Sequence, residues 1–405
     1  MFPNNFLWGA ATSSHQVEGA NTNNDWWYCE QQGKFIEPSG KACNHYELFE
    51  DDFNLASELG HNAHRFSIEW SRVEPEENKF SEKEIAHYKK VIDELLKRNI
   101  EPIVTLHHFT NPLWLFKKGG WLNKDIATYF EKYTEKIVSS LGGSVKYWIT
   151  INEPMVYVHA SYITGAWPAG EKSLLKANRV KDNLIIAHKK AYDKIHEIYK
   201  NMNYGKPMVS IAKQFQLFQA CPNNFSLLNK TAAFLRNKFF NFDFMEKIKN
   251  HLDFIGLNYY TRNFVKFSPM NIKECFGKHC NTLHNHAKYK NSLGWEIYPE
   301  GILESLMALR KFNLPILITE NGICTQDDNQ RWDFISRHLK QIEKALNLNI
   351  PVLGYLYWSL IDNFEWDKGF SPRFGLVKID YFSLKRTVRE SARKYANFIK
   401  SQGEN

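Results

Sequence analysis

Cysteine is scarce in this chain. Its six residues, Cys29, Cys43, Cys221, Cys275, Cys280 and Cys324, are spread irregularly over 405 positions. That density excludes a disulfide scaffold of the kind small secreted domains need, and a chain of this length can bury a large core without one. Long apolar runs are missing as well. No stretch approaches the eighteen or so residues that would cross a bilayer as a helix. The polar start Met1-Phe2-Pro3-Asn4-Asn5 has neither the charged nor the apolar region of a secretion signal. These absences point to a cytoplasmic protein with no membrane partner. Low-complexity linkers and short repeats are also lacking, and 43% hydrophobic content with 24% charge excludes disorder and collagen-like assembly.

Charge of one sign is in modest excess: 52 Lys and Arg against 44 Asp and Glu, a net +8. A basic balance can signal nucleic acid. Here the lysines are dispersed among acids, as in His188-Lys189-Lys190-Ala191-Tyr192-Asp193-Lys194, which reads as solvated helix faces. No nucleic-acid partner is expected. What the chain does hold in quantity is aromatic residues: 29 Phe, 19 Tyr and 12 Trp, 15% of the whole.

The apolar pattern alternates. Short runs of Val, Ile, Leu and aromatics occur at 6–10, 64–68, 102–106, 147–151, 208–212, 254–258, 316–319 and 353–357. They are continuous rather than alternating with polar residues, as strands buried on both faces are. Between them, 46–59, 82–98, 124–140, 181–199, 226–252, 300–312 and 332–346 carry apolar residues at helical spacing, and 384–399 closes the series. Eight strands alternating with eight helices predict an α/β fold, a single (β/α)8 barrel spanning the chain as one catalytic domain. A doubly wound open sheet is the competing architecture. It would normally offer a Gly-rich phosphate turn after the first strand, and Gly9-Ala10-Ala11-Thr12 is not one.

A barrel places its active site at the carboxyl ends of the strands. Those positions hold Gln16, Arg65, His107 and His108, Asn152 and Glu153, Asn258 and Tyr260, Glu320, Trp358, and then Glu365 and Trp366. Glu153 and Glu320 each terminate an apolar strand. A buried ion pair with Arg65 would account for either alone, but two convergent carboxylic acids are what glycosidic cleavage requires: one protonates the leaving oxygen while the other attacks or stabilises the anomeric carbon. Aspartic-type peptide hydrolysis also pairs carboxylates, but nearly in contact and on an all-β scaffold.

Phe6-Leu7-Trp8-Gly9-Ala10-Ala11-Thr12-Ser13-Ser14-His15-Gln16-Val17-Glu18-Gly19 resembles the N-terminal signature of glycoside hydrolase family 1, the β-glucosidase family. Ile316-Leu317-Ile318-Thr319-Glu320-Asn321-Gly322 is similar to its nucleophile signature, and Thr105-Leu106-His107-His108-Phe109, Asn152-Glu153-Pro154, Asn258-Tyr259-Tyr260-Thr261, Gly294-Trp295-Glu296-Ile297-Tyr298-Pro299 and Trp358-Ser359-Leu360-Ile361-Asp362-Asn363-Phe364-Glu365-Trp366 continue the resemblance in order.

The resemblance implies a retaining β-glycosidase that acts on β-glycosides or oligosaccharides, with Glu153 as acid/base and Glu320 as nucleophile, no metal and no cofactor. It implies that Gln16, His108, Asn152, Glu365 and Trp366 bind sugar hydroxyls, that Trp358 floors the sugar, and that Asn258 and Tyr260 flank the carboxylates. Arg65 and Tyr260 would orient Glu320. Retention sets the two carboxyls about 5–5.5 Å apart. Glu365, facing O4 and O6, would repel a 6-phosphate, which favours glucosides, with galactosides and fucosides tolerated, over 6-phospho-β-glycosides. A transglycosidase using the same residues and a silent glycan-binding relative are the other readings. Oligomeric state is left open.

Several signals stay outside this assignment. Trp114, Trp121, Trp167 and Phe370 are candidates for a platform under the leaving group, with local packing as the alternative. Cys275, Cys280, His284 and His286 are metal-ligand types at a spacing uncommon for zinc, so an ordinary mobile loop is the expectation. Asn224 and Asn229 head glycosylation sequons taken as incidental. The segment 213–252 is shorter than is usual in the family, which implies an altered cleft wall.

Overall fold

The computed structural model describes residues 1–222, 226–280 and 289–403. Eight parallel strands close into a barrel: β1 (Leu7–Ala11), β2 (Ala63–Ser67), β3 (Glu101–His107), β4 (Tyr147–Asn152), β5 (Met208–Gln214), β6 (Ile255–Asn258), β7 (Ile316–Asn321) and β8 (Val352–Trp358). Each pairs with its sequence neighbours, and β8 returns to β1 through the register Leu7↔Gly354 to Ala11↔Trp358. The architecture is the expected (β/α)8 barrel.

Continuous apolar strands follow from burial on both faces. Inside the barrel, Ala63, Ile103, Ile149, Ala212, Leu317 and Leu356 interdigitate as one cluster. Neighbours such as Val104, Trp148, Val209 and Ile316 point outward into the core shared with the helices. Those helices are α1 (His45–Glu58), α2 (Glu82–Lys97), α3 (Ile126–Leu141), α4 (Leu174–Met202), α5 (Leu227–Arg236), α6 (Glu300–Leu309), α7 (Asp328–Asn347) and α8 (Glu390–Gly403). Among the described residues, no helix is long and apolar enough to cross a membrane.

The segment expected as one helix over 226–252 is broken. After α5 the chain makes a π-helical turn over Asn237–Phe242, then a short helix over Asp243–Ile248. The cause is a pair of side-chain amides. Asn237 donates to the Phe218 carbonyl at 2.6 Å and Asn241 to the Gln216 carbonyl at 2.7 Å, while Asn241 Oδ1 accepts from Gln216 N at 3.2 Å. The two asparagines thus occupy the place of a neighbouring strand beside Leu217–Ala220. That strand also pairs with Arg262–Phe267, which in turn pairs with Gly277–His279, forming a small side sheet.

α8 starts later than its periodicity implies, because Arg386–Val388 pairs as a strand with Val377–Ile379. Cys280 is not a candidate metal ligand: it is disulfide-bonded to Cys221 at the edge of the side sheet. His284, His286 and Asn224 lie outside the described residues. Asn229 is buried, with its Oδ1 accepting from Phe267 N at 2.8 Å, so this sequon is used for packing.

Candidate active site

The carboxyl ends of the strands deliver the polar rim to one mouth. Both glutamates sit where the ladder is irregular. The β4–β5 register shifts between Ile149 and Asn152, and the β6–β7 register shifts between Ile318 and Glu320. Such shifts re-aim side chains next to functional sites. Glu153 itself has φ 42° and ψ 58° and caps the short helix Pro154–Val158. A left-handed non-glycine residue is held there against a local cost of order 1–3 kcal/mol by its surroundings. One restraint is its amide, which donates to the Ala212 carbonyl at 2.7 Å.

Arg65 organises the floor. It is fully buried, with Nε donating to Thr105 Oγ1 at 3.0 Å, Nη2 to Asn152 Oδ1 at 2.7 Å and Nη1 to Glu320 Oε1 at 2.5 Å. The second Glu320 oxygen accepts from the Tyr260 hydroxyl at 2.6 Å. Asn258 donates to Glu153 Oε1 at 2.9 Å and to Asn152 Oδ1 at 3.2 Å, and is itself fixed by Thr319 Oγ1 at 2.6 Å. Asn152 Nδ2 completes the set against His108 Nε2 at 3.1 Å.

These environments separate the two acids. Burial raises both carboxyls. For Glu153, the negative charge of Glu320 adds to burial, while the Asn258 hydrogen bond and the Lys213 and Arg65 charges oppose it; the result is about 8. Glu320 is also raised by burial but is drawn back by the Arg65 guanidinium and the Tyr260 hydroxyl. With a guanidinium and a phenol donating to it, Glu320 is the member of the pair that ionises and Glu153 the one that keeps the proton. Lys213, at the end of β5, is also buried and pushed down to about 7 by desolvation, with Glu153 pulling the other way.

Gln16 anchors the opposite side of the mouth, donating to Phe364 O at 2.9 Å, Asn363 Oδ1 at 3.1 Å and Glu365 Oε2 at 3.3 Å. Glu365 is raised to about 8 by burial, with the charges of Glu320, Asp367 and Glu153 adding to it. The His108 ring lies nearly parallel to Trp358 and to Trp366, at 17° and 14°.

A cavity of about 260 Å³ is lined by Glu153, Glu320, Gln16, His108, Asn152, Tyr260, Trp358, Glu365 and Trp366. Asn258 and Arg65 lie beneath it, bonded to the carboxylates. His107 is turned away, with Nε2 3.1 Å from Asn111 Oδ1 and its ring edge-on to Trp121.

Of the four platform candidates only Trp167 reaches this cavity. Trp121 is buried and donates to Asn111, Trp114 donates to the Glu74 carbonyl, and Phe370 packs on Phe364 and Tyr381. Trp295, Phe374, Leu293 and Gln214 also line the cavity without having been singled out as sugar contacts. Trp295 belongs to the signature-like segment Gly294-Trp295-Glu296-Ile297-Tyr298-Pro299, whereas nothing in the sequence marks Gln214.

Among known proteins, the sequence profile of Glycosyl hydrolase family 1 matches residues 1–246 and 230–404. The chain is 34% identical to Beta-glucosidase A of Thermotoga maritima over 447 residues, covering 99% of this chain and 98% of that protein. It is 33% identical over 446 residues to the 1,4-beta-D-glucan glucohydrolase of Thermotoga neapolitana, covering 99% of each. Of solved structures, the beta-glycosidase from Pyrococcus horikoshii superimposes with TM-score 0.93 at 44% identity, over 99% of this chain and 95% of that one. The Thermotoga maritima beta-glucosidase in complex with glucoimidazole gives 0.91 at 31% identity, over 99% of each. With a closed eight-stranded barrel, two carboxylic acids at its mouth and a profile matched over nearly its whole length, this chain is an enzyme of glycosyl hydrolase family 1.

Proposed function

We propose that the protein is a retaining β-glycosidase that hydrolyses terminal β-D-glucosyl residues and tolerates galactosyl and fucosyl ones. The observation that carries this reading is the asymmetric setting of the two carboxyls. Glu320 is gripped by Arg65 and Tyr260, whereas Glu153 has the Asn258 amide and is raised to about 8.

Glu320 attacks the anomeric carbon as Glu153 passes its proton to the leaving oxygen, giving a glycosyl ester on Glu320. Esterification removes the negative charge that helped to hold the proton on Glu153. Its carboxyl therefore becomes more acidic, and it can take a proton from the water that attacks the same carbon. The sugar leaves with retained configuration, and Glu320 is released as a carboxylate. Gln16, His108, Asn152, Glu365 and Trp366 hold the hydroxyl groups over Trp358, and contacts that tighten at the transition state raise kcat rather than merely lowering KM. The 6-phospho alternative is disfavoured by charge. Glu320, the ionised member of the pair, and Asp367 line the cavity with Lys368, and Lys368 is paired with Asp367 at 2.6 Å.

The test is a panel of aryl β-glucoside, galactoside, fucoside, mannoside and 6-phosphoglucoside with wild type and Glu320→Gly. Turnover of glucoside or fucoside, lost by several orders of magnitude in the variant, is expected. Undiminished hydrolysis by the variant removes the mechanism. Turnover of the phosphorylated substrate alone removes the specificity assignment.

A further inference from the structure

Lys213 is a buried cation that the two half-reactions above leave without a role. Among the described residues, the buried lysine and arginine side chains are Arg65, Arg331 and Lys213. Arg65 pairs with Glu320, and Arg331 pairs with Asp328. Lys213 has no carboxylate at ion-pair distance among the described residues. Its Nζ donates to the Gln214 carbonyl and lies 4.7 Å from the centre of the Phe240 ring, on the π-helical turn Asn237–Phe242. A lone ammonium in such a site is costly, and lysine answers by giving up its proton more readily. Burial accordingly pushes Lys213 down to about 7.

The acid whose charge acts on Lys213 is Glu153. The β4–β5 register pairs Asn152 with Ala212, and the Glu153 amide donates to the Ala212 carbonyl at 2.7 Å. Glu153 and Lys213 are thus the next residues along adjacent strands. The other titratable groups facing Glu153 are Arg65 from β2, Glu320 from β7, Tyr260 beyond β6 and Glu365 beyond β8, while His108 beyond β3 is kept neutral by burial. Around β5, Tyr157 is bonded to Asn111, and Lys181 pairs with Asp243. His188 sits between Thr150 and the His251 carbonyl, where burial keeps it neutral.

We propose that Lys213 is a positioning residue for the second half-reaction: its ammonium, formed with a proton from solvent as Glu153 ionises, holds Glu153 as the carboxylate that activates the attacking water. Near neutral pH, while Glu320 is a carboxylate, Glu153 keeps its proton and Lys213, facing a neutral carboxyl, sheds its own. Once Glu320 is an ester, Glu153 has given its proton to the leaving oxygen, and its charge draws a proton onto Lys213. Glu153 then takes a proton from the water that attacks the anomeric carbon, the bond to Glu320 breaks, and Lys213 returns its proton to solvent.

The inference rests on the retaining reading above. The ester is trapped with 2-deoxy-2-fluoro-β-glucosyl fluoride, freed of excess reagent, and its hydrolysis followed by return of activity between about pH 4 and 9. Hydrolysis slows as pH drops through the Glu153 pKa of the ester. Lys213→Met keeps a straight chain but removes the cation, so that pKa rises. The acidic limb should move up by about one pH unit, about a tenfold loss below the limb. kcat/KM for dinitrophenyl β-glucoside, whose departure needs no proton, should fall less than about threefold. Lys213→Arg keeps the charge at every pH, so its ester-hydrolysis limb should stay at the wild-type position. The basic limb of kcat/KM for methyl β-glucoside, set by Glu153 in the free enzyme, should move down in this variant by about one unit. A merely structural role moves neither limb. An ester-hydrolysis limb that Met leaves in place or Arg moves equally, or a basic limb that Arg leaves in place, overturns this inference and leaves the retaining reading standing. Wild-type protein that hydrolyses glucosides without forming the ester overturns both.

Discussion

Replacing Tyr260 with Phe removes one atom, the hydroxyl that donates to Glu320 Oε2 at 2.6 Å. The ring keeps its edge-on contacts with Trp295 and Phe374. The lost bond is charge-assisted in the state that matters, because Glu320, the proposed nucleophile, must be a carboxylate to attack. Hydrogen bonds to charged groups contribute about 1.5–3 kcal/mol, and one pKa unit corresponds to about 1.36 kcal/mol. The Glu320 carboxyl should therefore rise by about one to two units. The sign follows from its role. Activity falls as pH drops through the Glu320 pKa, so the acidic limb of kcat/KM against pH moves upward by that amount. The basic limb, set by Glu153 near 8, should stay within a few tenths of a unit. Well below the limb the variant loses about 10- to 100-fold, while the plateau changes less, because the missing bond stabilised the nucleophile's ground state. The assay is kcat/KM for an aryl β-glucoside between about pH 4 and 9. An acidic limb that does not move, whatever happens to the plateau, refutes the assignment of Glu320 as the carboxylate stabilised by Tyr260.

Two further outcomes are expected. Glu365→Ser removes a half-buried carboxyl that accepts from Gln16; kcat/KM for glucoside should fall about 10- to 100-fold while the ratio of 6-phosphoglucoside to glucoside turnover rises at least tenfold, and an unchanged ratio counts against Glu365 as the discriminating group. Gly322→Ala would place a methyl 1.9 Å from the Trp358 carbonyl oxygen, so β7 and β8 must part just beyond Glu320. A loss of about 1–3 kcal/mol in denaturant unfolding, with activity impaired beyond that, is expected, and wild-type values in both measurements would contradict the packing described.

The strands were legible because burial on both faces leaves a mark in one dimension: the run at 147–151 became Tyr147–Asn152, and that at 208–212 extended only to Gln214. His108, Asn152, Glu153, Glu320 and Trp358 were legible because each follows such a run within two residues. What escaped depends on contacts between distant segments. Trp121 and Trp167 are the same residue type in similar loops, and only the meeting of Trp167 with Phe109 and Trp366 turns it toward the cavity. The break in the 226–252 helix comes from Asn237 and Asn241 reaching back to Phe218 and Gln216, a bond pattern that helical periodicity does not encode.

Barrel closure carries a consequence for how the protein comes into being. The seam joins β1 to β8, and Gln16 finds its partners Asn363 and Glu365 only 347 and 349 positions further along the chain. A nascent chain emerging from the ribosome can build its early β/α units in sequence, but the sugar pocket has no complete wall until the last strand arrives. Assembly of the active site therefore waits for β8 and the residues just beyond it. Until then the growing sheet presents an open edge to the surrounding solution, and a partly made chain should be inert toward glycosides yet prone to associate with other chains.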